Sequence, residues 1–126
     1  MQIEVPAVNP YDLTSKERGT GSAEMLRRVK EVRQISAERL DKIGEKNMLT
    51  NAELKGEILE KVLEMDDNLR KFAAESAEKC GLTARSLMRI LRLARTIADL
   101  QNEKKVSKMH LIEALSYRHR LFKKPY

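Results

Sequence analysis

Tryptophan is absent from this sequence, and cysteine, histidine and aromatic residues are scarce. The single cysteine, Cys80, excludes an internal disulfide, and a reducing cytoplasm is the expected compartment for such a chain. No apolar run reaches the roughly 18 residues of a membrane span, and no basic-then-apolar secretion signal opens the chain. With only 4% aromatic residues, the core must be built from aliphatic side chains and methionine.

Residue sets that assemble a metal or catalytic centre are also missing. His110 and His119 are too few, and too far from any cluster of cysteines or carboxylates, to predict a metal site. We interpret His110 as structural and Cys80 as a small buried hydrophobe. Residues 19–22, Gly-Thr-Gly-Ser, precede a helix as a phosphate loop does, but they lack its Gly-Lys-Ser/Thr ending and are predicted to be a linker.

Charge is unevenly distributed along the chain. The net charge is +6, and residues 82–126 hold 11 Lys and Arg against 3 Asp and Glu, whereas residues 1–81 are nearly balanced. This asymmetry predicts an anionic partner for the last third, which could be a nucleotide, a nucleic acid or an acidic neighbouring domain. A basic face that is merely solvated is the alternative.

The first 21 residues lack helical periodicity. Apolar and charged residues alternate in Ile3-Glu4-Val5, but the stretch is too short to form a sheet of its own. We interpret it as the end of a strand whose partners are absent. Proline and glycine then mark residues 6–21 as a loop or linker. We assign residues 1–21 to an extended linker, residues 22–120 to a helical domain and residues 121–126 to a basic tail.

Four or five helices are predicted after residue 21, which makes the fold an all-α bundle preceded by a short extended segment. Apolar residues recur at helical spacing up to Gly44, which ends the first run. Thr50 and Glu53 have the spacing of a capping box that begins a helix. Gly56 follows soon after, so the sequence does not determine where that helix ends. Helix caps are predicted at Ser22, at Asp66 or Asp67, at Thr83 and at Ser107.

The segment after Thr83 has the clearest amphipathic pattern. Its apolar face is predicted to comprise Leu87, Ile90, Leu91, Ala94, Ile97 and Ala98. Arg85 falls at the second position of this helix, where a cation opposes the helix dipole at a cost of roughly 0.3–1 kcal/mol. An arginine beside the free N–H groups of a helix N-terminus makes a good phosphate site, because both present donors to one anion. An ordinary exposed arginine is the alternative.

Three further arginines follow Arg85 on the same helix. Arg89 and Arg92 continue its stripe, and Arg95 lies beside them. Arg95 is expected to pair with Asp99 one turn later, at the surface, for about 0.3–0.5 kcal/mol. We interpret all three as a solvated helix face, and contact with DNA phosphates, without sequence preference, is the alternative.

Several stretches resemble one family of ATPases. Leu82-Thr83-Ala84-Arg85, and the run from Arg89 to Leu100, closely resemble the C-terminal domain of magnesium-chelatase-like AAA+ proteins, including the competence branch of that family. The resemblance continues from His110 to Arg118. Glu4 to Val8 resembles the segment of the family in which the core sheet ends and the lid begins. Ser22-Ala23-Glu24 resembles the start of the first lid helix.

The resemblance implies a role for Arg85 as the sensor-2 arginine. In such ATPases this residue reaches from the lid to the phosphates of the nucleotide and links lid position to hydrolysis. Ser86-Leu87-Met88 replaces a stretch that often carries an aromatic residue, so packing near the sensor is expected to differ.

The same resemblance implies partners that this chain lacks. The phosphate loop, the magnesium-binding acidic residues and the arginine finger of the family lie in a core domain upstream of Met1. ATP and Mg²⁺ are therefore expected in the full-length protein and not in this fragment alone, from which no hydrolysis is expected. The family further implies a homo-hexamer that couples hydrolysis to work, such as branch migration on DNA during uptake and recombination, or metal insertion into a tetrapyrrole.

Two other classes of function remain open at this point. One is a stand-alone helical module that binds DNA through its basic last third. The other is a protein-interaction bundle without nucleotide contact.

Overall fold

The computed structural model describes residues 1, 3, 5–14 and 19–118 of the chain. These residues form α-helices and one short 3₁₀ turn, with no strand among them, and the prediction of an all-α fold is confirmed. The elements are α1 (Pro10–Thr14), α2 (Ser22–Lys42), the 3₁₀ turn (Asn51–Glu53), α3 (Gly56–Leu63), α4 (Asp67–Lys79), α5 (Ala84–Leu100) and α6 (Lys108–Ser116).

The entry segment differs from the expected extended linker. Five of its residues, Pro10–Thr14, form the short helix α1, because Pro10 suits the first position of a helix and the Asn9 side chain accepts from the Tyr11 amide at 3.1 Å. Helix α2 then begins at Ser22, but its cap residue is Gly21 and not Ser22 as predicted. The predicted cap was therefore wrong by one residue. Glycine is a tolerated N-cap, which explains why Gly21 can take this position.

The middle of the chain forms two elements. The capping box predicted at Thr50 and Glu53 is confirmed, and the Glu53 carboxylate accepts from the amides of Leu49 and Thr50 at 2.8 Å each. The element that it caps is only a 3₁₀ turn. Gly56, with φ near 49°, begins α3 instead of prolonging that turn.

Helix α5 lies at the centre of the fold and packs against α2, the 3₁₀ turn, α3 and α6. The apolar face predicted for α5 is buried from Ile90 to Ala98. It belongs to one aliphatic core, in which the fully buried side chains include Leu40, Leu54, Leu59, Leu63 and Leu111. This core is aliphatic, as the composition requires.

Local cap chemistry sets the ends of the later helices. The side chains of Asp66 and Thr83 accept from the amides of Leu69 and Ser86, which confirms both predicted caps. Ser107 caps α6 in a box with His110, whose ring is buried, so the structural interpretation of His110 is also confirmed.

Two predictions near helix ends have different outcomes. Cys80 was expected to be buried, and this is wrong, because the residue ends α4 at the surface and is exposed. Gly81, with φ near 58°, follows it and ends the helix as predicted. The predicted basic tail, residues 121–126, and His119 lie outside the described residues.

Candidate functional site

The N-terminus of α5 is formed by residues 83–86. The Thr83 hydroxyl oxygen accepts from the Ser86 amide at 3.2 Å, so the first turn is fixed by a side-chain cap. Arg85 occupies the second position of the helix, as predicted, and its side chain is exposed. Helix α5 has no acidic residue in its first turn, and the positive end of its dipole is therefore not neutralised locally.

Arg85 is also free of carboxylates within the described part of the chain. Five ion pairs are found there, and none of them involves Arg85. Its guanidinium can present up to five N–H donors beside the unpaired amides of the helix end. The arrangement can bind an anion such as phosphate, because charge and donors converge from the side chain and the backbone.

An open cleft of about 600 Å³ lies next to this helix end, between α5 and α6. Its floor is apolar and includes Leu82, Ile90, Leu93 and Ala114, while Arg89 lies on its rim. Arg118, the other cation of the lining, donates to the backbone carbonyl of Cys80. Met1 also lines the cleft, and no pattern in the sequence predicted that the start of the chain approaches α5.

The four arginines of α5 do not form one stripe. Arg85 and Arg89 are exposed, and both remain available for a ligand. Arg92 is half-buried, and its Nε donates to the backbone carbonyl of Leu54 at 2.7 Å. This bond connects α5 to the loop before α3. Arg92 therefore has a structural role, which its helical spacing did not predict.

Arg95 was predicted to lie on a solvated face, and this is wrong, because its side chain has 0% exposure. Its guanidinium donates to the carbonyls of Glu103 and Lys104 at 2.5 and 2.9 Å and to the Asp99 carboxylate at 3.1 Å. Burial lowers the pKa of Arg95 from its usual value, and the charge of Asp99 offsets part of that effect. Arg95 cannot reach an external phosphate from this position.

Asp99 is the centre of a buried polar network that sequence patterns did not predict as a unit. Besides Arg95, it accepts from Arg39 of α2 and from the Asn51 amide at 2.8 Å. Asn51 also donates to Thr96, and its oxygen accepts from the buried Ser36 hydroxyl. No buried side-chain nitrogen or oxygen in the described residues is left without a partner. Of the contacts in this network, the sequence indicated only the pair of Arg95 and Asp99, which are spaced by one helical turn.

Two further kinds of site are absent from the described residues. No helix among them is long and apolar enough to cross a membrane. No group of three or more His, Cys, Asp or Glu side chains within the described ranges is placed to hold a metal ion.

Known proteins contain a region that is similar in sequence to almost the whole of this chain. The family described as magnesium chelatase, subunit ChlI C-terminal, matches residues 19–118. The competence protein ComM of Haemophilus influenzae is 38% identical over 119 residues, which are 94% of this chain and 22% of that protein. The protein YifB, described as uncharacterised, is 29% identical in Salmonella typhimurium and 28% in Escherichia coli over the same share of each chain. The chain thus spans about one fifth of the length of the curated relatives that it matches.

Proposed function

The chain belongs to the C-terminal domain family of the magnesium chelatase subunit ChlI, and from this we propose that it is the helical lid of a AAA+ ATPase, with Arg85 as its contact to the nucleotide phosphates. The observation that carries the proposal is the exposed guanidinium of Arg85 at the uncompensated positive end of α5. ATP and Mg²⁺ would be held by a preceding core domain, and a ring of subunits, a homo-hexamer, would couple hydrolysis to motion.

The position of Met1 supports this placement. The family is described as the C-terminal part of its protein, so the rest of a longer member precedes the matched domain. Met1 lies in the cleft with Ser86 and Arg89, one turn or less along α5 from Arg85. Met1 thus lies close to the arginine that is proposed to contact the nucleotide.

Rigid support of α5 suits a coupling role. The core contacts of Ile90, Leu91 and Ala94, together with the Arg92 bond to Leu54, join α5 to the rest of the domain. A force applied at Arg85 is thus transmitted to the whole domain and is not absorbed by a loose side element. Coupling of lid position to hydrolysis requires this property.

The test compares Arg85→Ala and Arg85→Lys in the complete ATPase that contains this domain. We expect Arg85→Ala to lower turnover about tenfold or more, since a lost charged hydrogen bond is worth about 1.5–3 kcal/mol. Arg85→Lys should recover only part of it, because lysine cannot form the forked contact of a guanidinium.

Lys71→Ala, which removes an exposed cation of α4, is the matched control and should leave turnover unchanged. ATP turnover and nucleotide affinity are measured together, with circular dichroism to verify folding. An Arg85→Ala protein that turns over and binds nucleotide like the control would refute the proposed contact.

A second candidate function, DNA binding, is favoured by a separate group of cations. Lys104, Lys105 and Lys108 are exposed around the turn between α5 and α6. A basic surface that contacts about three phosphates loses roughly 40-fold in affinity between 50 and 200 mM salt. Binding of this chain to duplex DNA with such a salt dependence, abolished when the three lysines are changed to alanine, would support a role on DNA during uptake or recombination.

A further inference from the structure

The turn between α4 and α5 determines where Arg85 lies. Only residues 80–83 separate the two helices. The Leu82 amide donates to the Ala77 carbonyl at 2.8 Å, and Gly81 has a φ near 58°, so the turn closes onto the end of α4. Any shift of that end therefore moves the first turn of α5, and Arg85 moves with it.

The end of α4 has little apolar support. The buried side chains of this helix, Leu69 and Ala73, lie in its first two turns, and no side chain of residues 74–80 is buried. Helix α4 packs mainly against α6. Apolar burial therefore fixes the start of α4 and leaves its last turn to be held by other contacts.

One side chain from the end of α6 reaches this turn. Arg118 follows α6, and its Nη1 donates to the backbone carbonyl of Cys80, 38 residues earlier in the chain. The last carbonyls of a helix lack partners within it and carry the negative end of its dipole, so a guanidinium is a favourable donor there. Within the described part of the chain, the other side-chain hydrogen bonds of residues 80–83 are local ones at the start of α5.

Arg118 also borders the cleft that lies beside the N-terminus of α5. It is half-buried there and lines the cleft together with Leu82 of the turn and Ser86 of α5. Its guanidinium is engaged with the backbone of the turn, whereas Arg89, on the rim of the same cleft, is exposed. The contact made by Arg118 is therefore one of support and not one that offers donors to a ligand.

We propose that Arg118 is a positioning residue for Arg85. By holding Cys80 against the end of α6, it fixes the turn from which α5 begins and so the direction in which Arg85 approaches the nucleotide phosphates. Arg118 itself makes no contact with the nucleotide. The proposal rests on the proposed nucleotide contact of Arg85. A displacement of about 1 Å at such a contact can cost about 100-fold in rate, so this support has a measurable effect.

Hydrogen exchange of the complete ATPase without nucleotide, read by mass spectrometry, tests the support of the turn. Arg118→Met removes the donor but keeps a long unbranched side chain, and Arg118→Lys keeps one donor. Lys79→Ala, which removes an exposed cation at the same end of α4, is the matched control. We expect the amides of residues 81–87 to exchange about tenfold faster in Arg118→Met. Arg118→Lys and the control should stay within about threefold of the wild type. Unchanged exchange in Arg118→Met would overturn the proposal.

ATP turnover of the same variants tests whether the support acts through Arg85. Arg118→Met should lower turnover roughly three- to tenfold. Arg118→Lys should restore most of it because a carbonyl needs only one donor, whereas Arg85→Lys lacks the forked contact that a phosphate takes. In the Arg85→Ala background, Arg118→Met should cause no further loss, since the side chain that it positions is gone. Losses that multiply would mean that Arg118 acts on its own and would overturn its positioning role.

The Arg85→Ala variant separates this proposal from the function on which it rests. If Arg85→Ala lowers turnover and Arg118→Met does not, the nucleotide contact stands and the positioning role is overturned. If Arg85→Ala leaves turnover and nucleotide affinity unchanged, the nucleotide contact itself fails, and the positioning role fails with it whatever the exchange rates show. Circular dichroism of each variant verifies that it is folded.

Discussion

Arg39 of α2 and Asp99 of α5 form an ion pair across 60 residues of sequence, and the carboxylate is completely buried. The same carboxylate accepts from Arg95 of its own helix and from Asn51 of the 3₁₀ turn. One side chain thus joins three elements of the fold. Asp99 thus ties α2 to α5 through Arg39.

Asp99→Asn should destabilise the chain strongly. The substitution preserves the size of the side chain but leaves the buried Arg95 and the neighbouring Arg39 without a carboxylate, which typically costs about 3–5 kcal/mol. Urea denaturation of the chain measures the loss. Asp41→Asn is the control, since that carboxylate is exposed and lies 4.0 Å from Lys46, and it should cost less than about 1 kcal/mol. Similar losses in both variants would contradict the role of Asp99.

Arg92 and Arg89 should respond differently to replacement by alanine, although they lie one turn apart. Arg92→Ala removes a charged hydrogen bond to the Leu54 carbonyl and should cost about 1.5–3 kcal/mol of unfolding free energy. Arg89→Ala removes an exposed side chain and should change that free energy by no more than about 0.5 kcal/mol. Thermal and urea denaturation of both variants provide the measurement. The structural task of Arg92 would be disproved by equal values.

Much of the fold could be predicted because its helix ends depend on local chemistry. The caps at Asp66, Thr83 and Ser107 are interactions between residues three apart, and such spacings are visible in a sequence. The position of Arg85 in the first turn of α5 could be predicted in the same way, because it is counted from the Thr83 cap. The aliphatic face of α5 is equally direct, because a helical period determines which residues share a side.

What could not be predicted depends on contacts between distant parts of the chain. Arg95 is buried because the carbonyls of Glu103 and Lys104 and the carboxylate of Asp99 enclose it, and a helical period cannot show how a following turn folds back. Cys80 ends α4 at the surface and is exposed, although its residue type favours burial. In both cases tertiary packing outweighed a preference based on residue type.

Acid should weaken the capping box of the 3₁₀ turn. Hydrogen bonds from the amides of Leu49 and Thr50, and from the Thr50 hydroxyl, hold the pKa of Glu53 below its ordinary value of 4.5. The stabilisation is therefore complete above that ordinary value and is lost as the pH falls through the lower pKa of the folded state. Unfolding midpoints between pH 6 and pH 3 should fall more for the wild type than for Glu53→Gln.

The pH comparison needs a glutamate outside the box. Glu75 is exposed on α4, and Glu75→Gln should follow the wild type across the same pH range. If Glu53→Gln instead shows the full pH dependence of the wild type, the folded-state hydrogen bonds of Glu53 do not contribute to stability.

Arg85→Glu should move stability and activity in opposite directions. A carboxylate in the first turn of α5 interacts favourably with the positive helix end, which has no acidic residue at present, and should stabilise the isolated chain by about 0.3–1 kcal/mol. In the complete ATPase the same carboxylate would repel the phosphates and reduce turnover more than Arg85→Ala does. Thermal denaturation and ATP turnover are measured side by side. A variant that is more stable and fully active would show that Arg85 is an ordinary surface residue.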